Sequence, residues 1–206
     1  MIYDISPPLT SDTAVFPGDT PLSREILLDI ERGDGLTLST LRSTVHLGAH
    51  ADGPNHYGLN ARSIDLQPLE HYLGVCQVIQ CNCKNASRLE PADLHSSIEA
   101  PRVLLRTGSW PNPTVFDADF AGVSVELIDA MADAGVITIG IDTPSVDLAD
   151  SKDLPAHKAI LSHDIAILEC LDLSLVPPGQ YELIALPLKL VGFDASPVRA
   201  ILRSLR

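Results

Sequence analysis

Apolar positions along the chain fall mostly into short runs of strand character. "REILLDI" (24–30), "VCQVIQC" (75–81), "RVLLRT" (102–107), "VITIGI" (136–141), "IAILECL" (165–171) and "YELIALPLKL" (181–190) each predict a strand. Helical spacing is rarer. Ser124 is placed to cap "VELIDAMADAG", with Leu127, Ile128 and Met131 on one face and Gly135 as the stop. Pro91 opens a second helix in "PADLHSSI". Ser196 and Pro197 open a third in "VRAILRSLR", whose basic last turns suit the helix dipole. Strands outnumber helices, and the two alternate only in the middle of the chain. The pattern predicts a single α/β domain over 1–206 with a mixed, partly barrel-like sheet. A doubly wound fold is disfavoured because the first 60 residues show no helix.

The stretch Leu36–Asp52 carries the most pattern. Leu41, Val45, Leu47, Ala49 and Ala51 take odd positions; Thr40, Arg42, Thr44, His46, His50 and Asp52 take even ones. In an extended chain these are opposite faces. A strand in this register turns His46, His50 and Asp52 to one side, with Gly48 leaving room between the histidines. A helix would point Asp52 away from His50. Gly53 and Pro54 then bend the chain and set His56 apart.

Composition narrows the partners. The 206 residues are 45% hydrophobic and 20% charged, and the net charge is −13. Such a polyanion has no electrostatic reason to bind nucleic acid or an anionic membrane surface. The N-terminal "MIYDISPPLT" lacks the pattern of a signal peptide, and no run of 18 apolar residues exists. Four cysteines (76, 81, 83 and 170) with no C-x-x-C pair read as small buried hydrophobes of a reduced, cytoplasmic protein.

Three histidines and an aspartate within eleven residues are chemically specific. Imidazole and carboxylate together suit zinc and similar divalent ions. His46, His50 and Asp52 offer three ligands, and His56, beyond the bend, is placed for proton transfer. Glu169 sits inside an otherwise apolar strand. It either meets a cation there or faces water on an edge strand. "DTPSVDLADSKDLPAHKAILSHD" (142–164) reads as a polar loop whose Asp142, Asp147, His157 or His163 could complete a second ion site, and spacing does not choose among them.

The string His46-x-Gly48-x-His50-x-Asp52-x-Pro54-x-His56 resembles the signature of the cyclase-like metal hydrolases. Within them the chain closely resembles the bacterial kynurenine formamidases (arylformamidases). "FPGDTP", "GAHADGPNHY", "SIDLQPLEHYLG", "IGIDTPSVD", "DSKDLPAHKAIL" and "YELIALPLKL" extend the resemblance over nearly the whole length. It implies a swivelling β/β/α fold, a homodimer or pair of dimers, and a small-molecule substrate, N-formyl-L-kynurenine, hydrolysed with two zinc ions; manganese is the other candidate metal. It assigns His46, His50, Asp52, His157 and Glu169 as ligands, with Asp52 bridging, and His56 as proton donor and acceptor. Where formamidases carry tryptophan before Pro-Gly-Asp, this chain has Phe16, an aromatic face without an indole N–H. That departure keeps a second substrate class open, a cyclic amide such as isatin. A ligand-binding protein with a structural metal is the reading from another class, and there His56 would have no task.

Overall fold

The computed structural model describes residues 1–205. In chain order the strands and helices are β1 (Ile2–Asp4), β2 (Ser23–Leu28), β3 (Leu38–Arg42), β4 (His50–Asp52), β5 (Leu73–Gln80), β6 (Arg88–Leu89), β7 (Arg102–Arg106), β8 (Gly122–Val123), α1 (Val125–Asp133), β9 (Thr138–Ile141), α2 (Pro155–Ser162), β10 (Ala166–Glu169), β11 (Gly179–Ile184), β12 (Ala195–Pro197) and β13 (Ile201–Ser204). Among the described residues, nine strands form one curled mixed sheet in the order β1-β13-β11-β5-β7-β9-β10-β4-β12. Neighbours from β5 through β10 run parallel, and the flanking pairs are antiparallel. The small β6–β8 pair and the β2–β3 hairpin stand outside this sheet.

The central strands are apolar on both faces, as strands covered on both sides must be. Val78, Leu104 and Leu168 enter one core with Tyr72, Leu183 and Leu202. Their chain neighbours Ile79, Val103, Leu105 and Ile167 enter the other, against Leu127, Ile128 and Met131 of α1 and Ile160 of α2. The helix α1 forms where the spacing places it. Ser124 Oγ accepts the Leu127 N–H at 3.1 Å, and Gly135 takes the left-handed conformation at φ 80°.

Four expectations change. Leu36–Asp52 is not one strand. β3 is exposed along its length, the chain bends after Arg42, and extended structure resumes only at His50. Gly48 marks the break: it sits at φ 55°, and a Cβ there would collide with Leu9 Cδ2, so its small size serves backbone and packing rather than space for an ion. The segment 142–164 is not all loop, because Pro155 begins α2 and carries His157 onto a helix. Pro91 opens only a single 3-10 turn, Pro91–Asp93, closed by Glu90 and Asp93. The helix expected from Ser196 is replaced by β12 and β13. Ala200 and Leu202 are buried while Arg203 is exposed, a period of 2 that lets β13 pair with both β1 and β11. Arg206, the end of that expected helix, lies outside the described residues. Among the described residues no helix is long and apolar enough to cross a membrane.

Candidate metal centre

Strand register builds half the site. His50 and Asp52 are two residues apart on β4 and so face the same way. β10 pairs antiparallel with β4 and sets Glu169 opposite His50, which brings its side chain to that same face. β10 lies between β9 and β4, so Glu169 is interior, at 4% exposure, and does not face water on an edge. His50 Nε2 lies 3.3 Å from Glu169 Oε2 and 3.4 Å from Asp52 Oδ1. His50 Nδ1 sits 2.8 Å from the Gly48 carbonyl, which fixes the ring and leaves Nε2 free.

The other half arrives from elsewhere. His46, in the bend before β4, places Nδ1 3.1 Å from Asp52 Oδ1. His157, on α2, places Nε2 3.7 Å from Asp52 Oδ2 and 3.9 Å from Glu169 Oε1. Two donor sets share Asp52: His50, Asp52 and Glu169, all buried, and His46, Asp52 and His56 nearer the surface; within each set the donor atoms lie within 4.8 Å of one another. The expected residues His46, His50, Asp52, His157 and Glu169 are thus brought together, and His56 stands beside them with its ring centroid 4.2 Å from that of His46. His163 is elsewhere, 2.7 Å from Asp129.

A cation fits this arrangement. His50 Nε2 and both oxygens of Asp52 are buried without a hydrogen-bond partner, although imidazole nitrogens lie 3.1 to 3.7 Å from the carboxylate. Orphaned buried polar atoms are rare and costly, and a divalent ion would satisfy all three. The field points the same way. Burial disfavours a charged His50 or His157, yet the carboxylates win: Asp52 holds His50 well above the usual range, and Asp147 with Asp52 pushes His157 up to about 10. Burial works to raise Asp52, but the His157, His46 and His50 rings hold it well below the usual carboxylate range. Protons and a metal ion compete for these same nitrogens, so metal binding here would depend on pH.

Two carboxylates support the cluster from behind: Asp147, one of the candidates in the 142–164 segment, and Asp194, which carries no signal in the sequence. Asp147 Oδ2 accepts from His157 Nδ1 at 2.8 Å and from its backbone N–H at 3.1 Å, while Oδ1 accepts from Arg88 Nη1 at 2.7 Å. Burial raises the Asp147 carboxyl, but these donors bring it down to about 2. Asp194, 148 residues from His46, places Oδ2 3.1 Å from His46 Nε2 and 3.6 Å from His56 Nδ1.

Above the cluster opens a cavity of about 270 Å³, lined by His46, His50, His56, His157 and Glu169 and walled by Phe16, Trp110 and Phe116. The Phe16 and Phe116 rings are 4.7 Å apart. Sequence reasoning found Phe16 and missed Phe116 and Trp110. That Trp110 is the chain's single tryptophan is the one signal that could have flagged it.

The Cyclase family profile matches residues 3–148. A solved structure described as a potential metal-dependent hydrolase with cyclase activity is 27% identical, covers 98% of this chain and 96% of its own, and superposes with a TM-score of 0.83. A structure described as a predicted metal-dependent hydrolase from Bacillus stearothermophilus is 28% identical over 98% of this chain and 97% of its own, with a TM-score of 0.81. Isatin hydrolase A from Labrenzia aggregata shares the fold at 22% identity and TM-score 0.79, over 98% of this chain and 93% of its own. This chain therefore belongs to the Cyclase family, as a metal-dependent hydrolase built on a curled mixed sheet.

Proposed function

We propose that the chain is a kynurenine formamidase, hydrolysing N-formyl-L-kynurenine to L-kynurenine and formate. In this reading His46, His50, Asp52, His157 and Glu169 would hold two zinc ions. The reading rests above all on Asp52, a buried carboxylate with both oxygens unpartnered where two donor sets meet. A divalent ion bound there supplies Lewis-acid chemistry, polarising a carbonyl and lowering the pKa of water from ~15.7 toward ~7.

The side chains do the rest. The cavity is lined by the candidate ligands and by the Phe16 and Phe116 rings, so a formyl group would sit among the ligands with an aryl ring against the two phenylalanines. Water adds to the formyl carbon, the C–N bond breaks, and the departing nitrogen needs a proton. His56, half-exposed at the cavity wall, delivers it and takes one from the water. Asp194 steadies the His56 and His46 rings together. The enzyme is read as cytoplasmic and homodimeric, the exposed β2–β3 hairpin being the surface for a second copy.

Zinc-loaded protein should turn over N-formyl-L-kynurenine, lose that activity on chelation and regain it on adding zinc. Undiminished turnover after chelation sinks the mechanism. Phe16, standing where formamidases carry tryptophan, favours a second reading, a cyclic amide such as isatin. A higher kcat/KM for isatin than for N-formyl-L-kynurenine would establish that reading instead.

A further inference from the structure

A second cavity, of about 300 Å³, adjoins the first and shares Trp110 and Cys170 with it. Its walls carry opposite charges: Arg106, the last residue of β7, and Asp142, just after β9. β7 and β9 are parallel neighbours with Leu105 opposite Ile141, so Arg106 and Asp142 are next in the same register. They nevertheless do not pair. Among the described residues Arg106 makes no ion pair, although the chain's net charge of −13 offers it carboxylates in excess.

Both groups are held from behind. Arg106 Nη1 donates to the Val176 carbonyl at 2.9 Å and Nη2 to the Ser174 carbonyl at 3.0 Å. A guanidinium has five N–H donors, so the rest remain available. Asp142 accepts the Thr107 and Gly108 backbone N–H groups at 2.9 to 3.0 Å and the Thr107 hydroxyl at 2.6 Å. Burial still pushes its carboxyl up, a bias that a neighbouring cation would reverse. A fixed cation and a fixed anion that face one cavity without touching each other complement a zwitterion.

We infer that this cavity is a subsite for an α-amino-acid group on the substrate, Arg106 taking the carboxylate and Asp142 the ammonium, with the aryl ring across Trp110. The inference rests on the formamidase reading, which puts the amide in the first cavity and leaves the amino-acid end to be held. Both groups sit at carboxyl ends of parallel strands, β7 and β9, and Glu169 ends β10 beside them, the usual ligand edge of an α/β sheet.

Calorimetry on the metal-loaded full chain tests it, with quenching of Trp110, the single tryptophan, to report the place of binding. The probes are L-kynurenine, kynuramine, which lacks the carboxylate, and 2-aminoacetophenone, which lacks both groups. L-kynurenine should bind about 10-fold tighter than kynuramine and about 100-fold tighter than 2-aminoacetophenone. Arg106→Gln should bring L-kynurenine down to the kynuramine level and leave kynuramine unchanged. Because Arg106 also ties two carbonyls, the comparison of the three probes on wild-type protein stands without the variant. Equal affinity for all three overturns the subsite, as does an Arg106→Gln loss shared equally by kynuramine. Equal kcat/KM for N-formyl-L-kynurenine and 2-formamidoacetophenone would overturn the subsite and leave the formamidase reading standing. Selective binding of L-kynurenine by protein that hydrolyses neither formamide would do the reverse.

Discussion

Asp147 grips His157 at both its ring and its backbone, and Arg88 grips Asp147 in turn. A carboxylate behind a ligating imidazole fixes its tautomer and raises its basicity, and its loss typically costs about 10–100-fold in metal affinity. Asp147→Asn keeps the shape and removes the charge. Chelator competition should therefore show about 10–100-fold weaker metal binding, and unchanged affinity would reduce Asp147 to a helix anchor. His56 poses the sharper question, because it neighbours the ligands yet is proposed to carry a proton. His50→Ala should retain less metal by elemental analysis. His56→Ala should retain the wild-type amount while losing about 10²–10⁴-fold in turnover. Metal loss from His56→Ala would make it a ligand and leave the proton without a carrier. At this scale the sequence was legible where chemistry was local: His46, His50, Asp52 and His56 lie within eleven residues. Glu169 was flagged as a carboxylate in an apolar run, though its cation came only from the family resemblance. Asp194, Phe116 and Trp110 were not legible, since only the folded chain sets them beside the histidines.

Strands and helices are readable where the apolar pattern agrees with the pairing, and mislead where local preference and long-range pairing compete. β5, β7, β9 and β10 were readable as apolar runs, and α1 as a capped amphipathic turn. The C-terminal segment was misread because its basic residues suit a helix end, while the pairing of β13 with both β1 and β11 outweighs that local preference. The bend at Gly48 was likewise invisible, because an alternating pattern continues through a break in the strand. Gly140 shows how tightly the central sheet is filled. A Cβ there would collide with Leu104 Cδ2 and come within 2.8 Å of Leu171 Cδ1. Gly140→Ala should destabilise the fold by about 1–3 kcal/mol. For a chain of this size each kcal/mol lowers Tm by about 2–4 °C. If overpacking is the cause, the glycine substitution should cost less in a Leu104→Ala background than in wild type. Equal cost in both backgrounds would assign it to the β9 backbone.

The whole molecule leaves one element without support. β2 and β3 pair with each other and with no other strand among the described residues. The hairpin exposes Leu27, Ile30, Leu36, Leu38 and Leu41, each more than 45% exposed. An isolated two-stranded hairpin is marginal in water, and an apolar surface of this extent, on the order of a few hundred Å², marks an interaction site. The hairpin is nearly charge-balanced, with Arg24, Arg32 and Arg42 against Glu25, Asp29, Glu31 and Asp34, whereas the chain as a whole carries −13. Two copies would repel over most of their surface and least here. Its base, where Thr44 N–H donates to the Thr20 carbonyl at 3.0 Å, lies between the Phe16 loop and His46, so a partner bracing the arm also steadies the cavity wall and one candidate ligand. Light scattering should give twice 22.1 kDa for the wild type and 22.1 kDa for a Leu38→Asp, Leu41→Asp variant. That variant should keep its metal, since the buried donors His50, Asp52 and Glu169 lie on β4 and β10, in a different sheet from the exposed β3, and should lose protection against hydrogen exchange across the hairpin. A dimer that survives both charges would move the interface off the hairpin, toward the exposed Leu188, Val191 and Phe193.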